Sequence, residues 1–341
     1  MSANVNELAP EGVAERKRLT AQTLAPERPS EPDDPAADSL AGRVRSALFA
    51  VPENFNGVQA PSLQAPDIHT LGAVLGSTIE QEVVETLNRL RNTTWDIDGE
   101  LAGYRFVRQA QVFPDVVLKA TDPDTTPQIR LGIELKGWYA LAKERAPNFR
   151  FKATPLSCAE EDMLVVFPWA LSQVISGEAQ VFPPWIANAR YAAEYRNWHW
   201  VHSMGSGEGS VDEPTSLPED RAILLSLVTT YYPESGSEEH NDEALHDKGG
   251  NFGRTARTRL MNAYIDRVFS DEALAGVALG YWQRFLKLFG KEDPAEIIMR
   301  SIDQMGREVK GKDAKATRRT LAELGERVAD LSAVLNKLSG G

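Results

Sequence analysis

Two apolar periods alternate along the chain. Ile79, Val83, Leu87 and Leu90 recur at helical spacing and predict an amphipathic helix opening at Leu75. The next apolar runs are short: Val116-Val117-Leu118, residues 129–135 and residues 162–169, with turn-forming residues between them, which predicts strands. Residues 186–200 return to a helical pattern. The order helix, strand, strand, strand, helix over 70–200 predicts an α/β (α+β) fold, a mixed sheet flanked by helices. Residues 40–49 predict a short helix, 222–232 a further strand and 260–269 an amphipathic helix. Leu321, Leu324, Val328, Leu331, Leu335 and Leu338 then step alternately by three and four, the seam of a paired helix over 316–338. Its partner is either a second copy of the chain, giving a homodimer, or residues 274–289 in a hairpin. The chain divides into an acidic, Pro-rich flexible arm at 1–40, a core at 41–232 and a mostly helical C-terminal region at 233–341.

The chemistry concentrates on the first two strands. Asp115 opens the run at 116–118, and Glu134-Leu135-Lys136 closes the run at 129–135. Between them, residues 121–127 are dense in Asp, Pro and Thr, which predicts a hairpin. Opposed residues of a hairpin are equidistant from its turn, and the midpoint of 115 and 134 falls between 124 and 125. Asp115 and Glu134 are therefore expected side by side. Lys136 leaves the same face as Glu134, roughly 7 Å along the strand at about 3.3 Å per residue, while Leu135 points into the core. Two carboxylates and an amine suit metal-dependent hydrolysis of a phosphodiester: a hard, oxygen-liganded cation activates water and neutralises developing charge, and the amine assists. The same residues would also suit a solvated surface hairpin with Lys136 paired to one acid, an arrangement that contributes little.

In spacing and order, Pro114-Asp115 and Glu134-Leu135-Lys136 resemble the PD-(D/E)xK nuclease superfamily, which includes type II restriction endonucleases. The resemblance covers roughly residues 70–200. It implies a restriction-endonuclease-like sheet, with Asp115 and Glu134 as ligands of Mg²⁺ (or Mn²⁺) and Lys136 assisting the attacking water. It also implies a helical glutamate before the hairpin, for which Glu80, beside the apolar stripe, is preferred to Glu82. The implied activity is endonucleolytic cleavage of double-stranded DNA, as in a restriction endonuclease of bacterial phage defence, with a homodimer and a partner DNA methyltransferase as expected associates. A repair or junction-resolving nuclease uses the same residues. A non-catalytic DNA-binding or assembly subunit that has kept the fold, and acid–base chemistry on a sugar by Asp115 and Glu134, are the readings from other classes.

Charge bears on where DNA could approach. The 341 residues carry a formal net charge of −12, which opposes a phosphate backbone. The acid is concentrated, however: residues 1–40 hold 8 acids and 4 bases, residues 205–250 hold 11 acids and 2 bases, and the rest is close to neutral, about +1. Two basic sets are the candidate DNA contacts: Lys143, Arg145, Arg150 and Lys152 after the second strand, and Arg254, Arg257 and Arg259 after a Gly-rich string. Each also reads as a solvated or acid-paired surface. A single Cys158 excludes an intrachain disulfide and a cysteine-based zinc site, and the five histidines show no zinc-ligand spacing. The absence of a signal peptide and of any run of about twenty apolar residues predicts a soluble, cytoplasmic protein without membrane association.

Overall fold

A computed structural model describes residues 16–19, 27–55, 68–109, 113–142, 144–174, 177–203, 211–214, 253–289, 295–309 and 314–339. The elements in chain order are β1 (Arg16–Leu19), α1 (Leu40–Phe49), α2 (Val51–Asn54), α3 (Ile68–Arg89), β2 (Tyr104–Arg108), β3 (Val116–Ala120), β4 (Ile129–Tyr139), β5 (Met163–Leu171), β6 (Ala179–Val181), β7 (Trp185–Asn188), α4 (Ala189–Ser203) and β8 (Val211–Pro214). The C-terminal region adds α5 (Asn262–Asp271), β9 (Ala273–Leu274), β10 (Val277–Ala278), α6 (Leu279–Phe289), α7 (Ala295–Glu308) and α8 (Ala314–Ser339).

The predicted mixed α/β architecture is present: a six-stranded sheet in the order β2-β3-β4-β5-β6, with β7 also on β5. The meander β2-β3-β4 is antiparallel, and β5 joins β4 in parallel through the connection 140–162. Every residue of β5 is buried, as befits a central strand covered on both faces. Strand β2 lies outside the elements expected from sequence. Its residues Tyr104-Arg105-Phe106-Val107-Arg108 bury Tyr104 and Phe106 and leave Arg105 and Arg108 exposed, and so short an alternation on an edge strand gives a weak local signal.

One sheet face packs on α3. Leu75, Ile79, Val83 and Leu87 are buried there with Phe106, Val116, Leu118, Leu131, Ile133, Leu135 and Val165, the stripe expected from the period. Burying such side chains stabilises by about 1.5–3 kcal/mol each. On the other face, Val117 and Leu164 meet Phe151, Ala153 and Cys158 of the β4–β5 connection and Ala189, Ala192 and Ala193 of α4. Asp162 ties this layer together: its buried carboxylate accepts from Gly132 N at 2.7 Å and Ala159 N at 2.9 Å.

Several expected boundaries shift. Residues 186–188, the expected start of the helix, belong instead to β7, because 185–188 pair with 163–166 of β5. The described part of the expected flexible arm, 27–39, is tied to the helices: Arg28 lies over the rings of Tyr195 and Trp198 of α4, Asp34 pairs with Arg45 of α1 at 3.0 Å, and Ser39 caps α1. The C-terminal helices share an apolar cluster with Trp138, Val166 and Ala170 of the sheet, so the compositional division at 232 is not a division of packing. Helix α8 packs on α7, with Leu321 buried and Leu324 and Val328 partly so. Helix α7, directly preceding α8 and joined to it by a far shorter loop, is the main partner, while the expected partner segment 274–289 shares the same apolar cluster and meets the start of α8, where Thr317 Oγ1 donates to Ala275 O at 2.7 Å. The strand expected at 222–232 and the side chains of Leu331, Leu335 and Leu338 lie outside the described residues. Among the described residues, no helix is long and apolar enough to cross a membrane.

Candidate active site

Strands β3 and β4 pair with Val116 opposite Ile133, Val117 opposite Gly132 and Leu118 opposite Leu131, the register that the turn midpoint predicts. Pairing with β3 stops at Ile133, but β4 continues along β5 to Tyr139 opposite Trp169. The two strands therefore part where the motif residues stand. Asp115 turns its carboxylate across the gap and accepts from Leu135 N at 2.7 Å. The ammonium of Lys136 lies 2.6 Å from Glu134 Oε1 and 3.9 Å from Asp115 Oδ2. The side chains of Asp115, Glu134 and Lys136 are 21%, 12% and 22% exposed: desolvated enough for strong coupling, open enough to be reached.

The loop before β3 is held from outside the motif. Gln109 brackets it, its backbone N–H donating to Asp115 O at 2.7 Å and its Nε2 to Pro114 O at 3.0 Å. Sequence spacing does not reveal Gln109, because its position depends on β2 lying beside β3. Glu80, on α3, accepts from Arg108 Nε at 2.5 Å. Its charge is felt by Lys136, yet it does not join Asp115 and Glu134 as a third ligand: among the described residues no three Asp, Glu, His or Cys converge.

Electrostatics single out Asp115. Burial and the neighbouring Glu134 carboxylate push it up to about 6, against the pull of Lys136 and the Leu135 N–H. Burial works against the charge of Lys136, but Glu134 and Asp115 more than offset it and hold the amine above the usual lysine range. In the metal-free protein, two crowded carboxylates share one ammonium. A carboxylate whose folded pKa lies above its unfolded value contributes stability that is full at about pH 4 and is lost as pH rises through 6. At pH 8 in EDTA, Asp115→Asn is accordingly expected to unfold at higher urea than the parent chain, by about 1–3 kcal/mol at most, with the gap closing towards pH 4. A variant less stable than the parent at pH 8 would contradict the crowding.

No family model, curated protein or solved structure matches the chain. The site is therefore read from its own geometry. Two adjacent hard-oxygen ligands fit Mg²⁺, which binds through one or two carboxylates and keeps several waters. Lys136 now occupies Glu134, so an incoming cation competes with the ammonium for that oxygen.

The basic residues expected at the site divide. Arg145 is half-exposed and lies 2.8 Å from Asp266 and over the Phe269 ring of α5, a surface pairing that contributes little. Arg150 and Lys152 stand on the connection that covers the hairpin, next to Arg254. Arg259 is exposed, with its charge near His199 of α4. Lys143 and the side chain of Arg257 lie outside the described residues. Arg196, which sequence reading leaves as one polar residue on a helix, is 4% exposed and donates to Phe151 O at 2.8 Å and Ala153 O at 2.9 Å. Only packing of α4 on the connection gives it that role.

Proposed function

We propose that the chain is a Mg²⁺-dependent endonuclease that hydrolyses phosphodiester bonds of double-stranded DNA, built on a restriction-endonuclease-like sheet of the PD-(D/E)xK type and acting as a restriction enzyme in bacterial defence. The observation that carries the reading is the convergence of Asp115, Glu134 and Lys136 at the point where β4 outruns β3. This arrangement is more specific than a surface hairpin, because the residues are mostly buried and two acids are held together at an electrostatic cost.

Asp115 and Glu134 would hold the metal, which when bound lowers the pKa of water and offsets charge on the phosphate. Asp115 is fixed for this by the Leu135 N–H and by Gln109, so little reorganisation is needed on binding. Lys136 presents its ammonium on the same face, where it orients the attacking water or stabilises the negative charge that develops at phosphorus. Glu80, through its ion pair, positions Arg108 at the end of β2. Two copies with sites related by a twofold axis would cut both strands of a symmetric sequence, and a DNA methyltransferase would protect the host.

The test is incubation of the purified chain with plasmid and phage DNA in Mg²⁺, Mn²⁺ or EDTA. Metal-dependent discrete fragments, lost in Asp115→Asn and Lys136→Ala, are the expected result. Cleavage confined to branched DNA would favour a junction-resolving enzyme, and binding without cleavage in any divalent metal a non-catalytic subunit.

A further inference from the structure

Two segments a hundred residues apart meet at Phe151, on the sheet face that Val117 lines. Arg150 and Arg254 form an antiparallel bridge, reinforced by a hydrogen bond from Phe151 N to Gly253 O at 2.7 Å. Residues opposed in such a bridge carry their side chains on one side, with Cβ atoms about 4.5–5.5 Å apart. Two guanidinium groups are thus set next to each other, and like charges so placed are destabilising. Among the described residues neither has an acidic partner, and Arg254 Nε is buried without a hydrogen-bond partner. The hydrogen bonding of Arg254 is left to its terminal nitrogens.

The bridge is rigidly built. Gly253 has φ +83°, and a Cβ on it would lie 2.7 Å from Phe151 O and 3.2 Å from Lys152 Cγ, so only glycine lets the segments close and brings Lys152 alongside. Arg196 clamps the carbonyls of Phe151 and Ala153 from below. The Phe151 ring packs against that of Phe113 at 6.0 Å, and Phe113 precedes Asp115 by two residues. At no more than about 3.8 Å per Cα step, and across the ring contact, the Cα of Arg150 lies within about 25 Å of that of Asp115. A strand of duplex DNA, at 3.4 Å per base pair, covers that distance in about seven steps.

We propose that Arg150 and Arg254, with Lys152 beside them, form one composite phosphate-binding site that grips the backbone of duplex DNA a few nucleotides from the scissile bond. A phosphodiester supplies the charge the pair lacks and matches the planar guanidinium fork. The site rests on the nuclease reading for its role, but binding is testable apart from cleavage.

The experiment measures affinity of the full chain for a mixed-sequence 30-base-pair DNA duplex by fluorescence anisotropy in EDTA, over about 50–200 mM salt, where binding is dominated by phosphate contacts and needs no recognition sequence. Arg150→Gln with Arg254→Gln is expected to weaken binding about tenfold or more and to lower the slope of log K against log salt by about 2, close to 0.9 for each phosphate no longer neutralised. Each single substitution lowers it by about one, the lysine pair restores most of it, and Arg319→Gln on α8 leaves it unchanged. An unaltered slope in the double variant, or no binding by the parent chain, overturns the proposal. Tighter binding of a matched RNA duplex through the same arginines overturns DNA as the substrate. Arginine-dependent binding without cleavage in any divalent metal sinks the nuclease reading alone, whereas cleavage with an unaltered slope sinks this site alone.

Discussion

Lys136→Ala is expected to reduce metal-dependent cleavage by about 10²–10³-fold while leaving duplex binding nearly intact. That is the range for removal of one preorganised group that meets developing charge in a partly desolvated site. The Lys136 ammonium is placed by the strand itself, two residues from Glu134 on one face, and is held by Glu134 at 2.6 Å. Its loss removes the positive charge between two carboxylates, so the variant should be compared with the parent chain in Mg²⁺, with unfolding monitored in parallel. Lys136→Arg is expected to recover only part of the rate, because a planar fork does not occupy the position of a compact ammonium. Equal single-turnover rates for the parent and alanine chains would remove Lys136 from the chemistry and leave the hairpin as an ion-paired structural feature.

Arg196→Ala is expected to cost about 3 kcal/mol of stability, read as a lower midpoint in urea at unchanged slope. The guanidinium is buried, with bonds to two backbone carbonyls and to Asn197 Oδ1 at 2.8 Å, and its ring partner Phe151 lies 5.8 Å away. Truncation leaves buried acceptors without donors, which costs roughly 1–3 kcal/mol per group, and removes packing as well. Arg196→Met keeps much of the apolar stem and is expected to lose less. Because the clamped carbonyls flank Lys152, the alanine variant should also weaken DNA binding more than its stability loss explains. A loss below about 1 kcal/mol would mean that water satisfies both carbonyls.

Lys136 and Arg196 differ in how far the sequence exposes them. Lys136 is legible because its neighbours are local: one hairpin, closed by a short turn, brings Asp115 to Glu134, and register follows from counting to the midpoint. The stripe Ile79, Val83, Leu87 is legible for the same reason, since helical periodicity is written within a few turns. Arg196 carries no such mark. The two carbonyls it clamps are more than forty residues away, and an arginine on a helix ordinarily reads as a solvated side chain.

Other differences have the same origin. Residues 186–188 look helical beside α4, yet β5 recruits them as part of a strand. Helix α8 has a seam that fits any apolar partner, and proximity along the chain selects α7. Gln109 becomes a support for Asp115 only because the edge strand β2 delivers it there. Local periodicity and turn chemistry by themselves determined the mixed α/β class, the hairpin, its register and the three residues at its open end. The tertiary structure alone decided which distant groups meet: the gap where β4 outruns β3, the pairing of Arg145 with Asp266, and the bridge of Arg150 with Arg254. Those outcomes depend on how a buried parallel strand orders the 140–162 connection across one sheet face. That is packing between segments far apart in sequence, which no local pattern encodes.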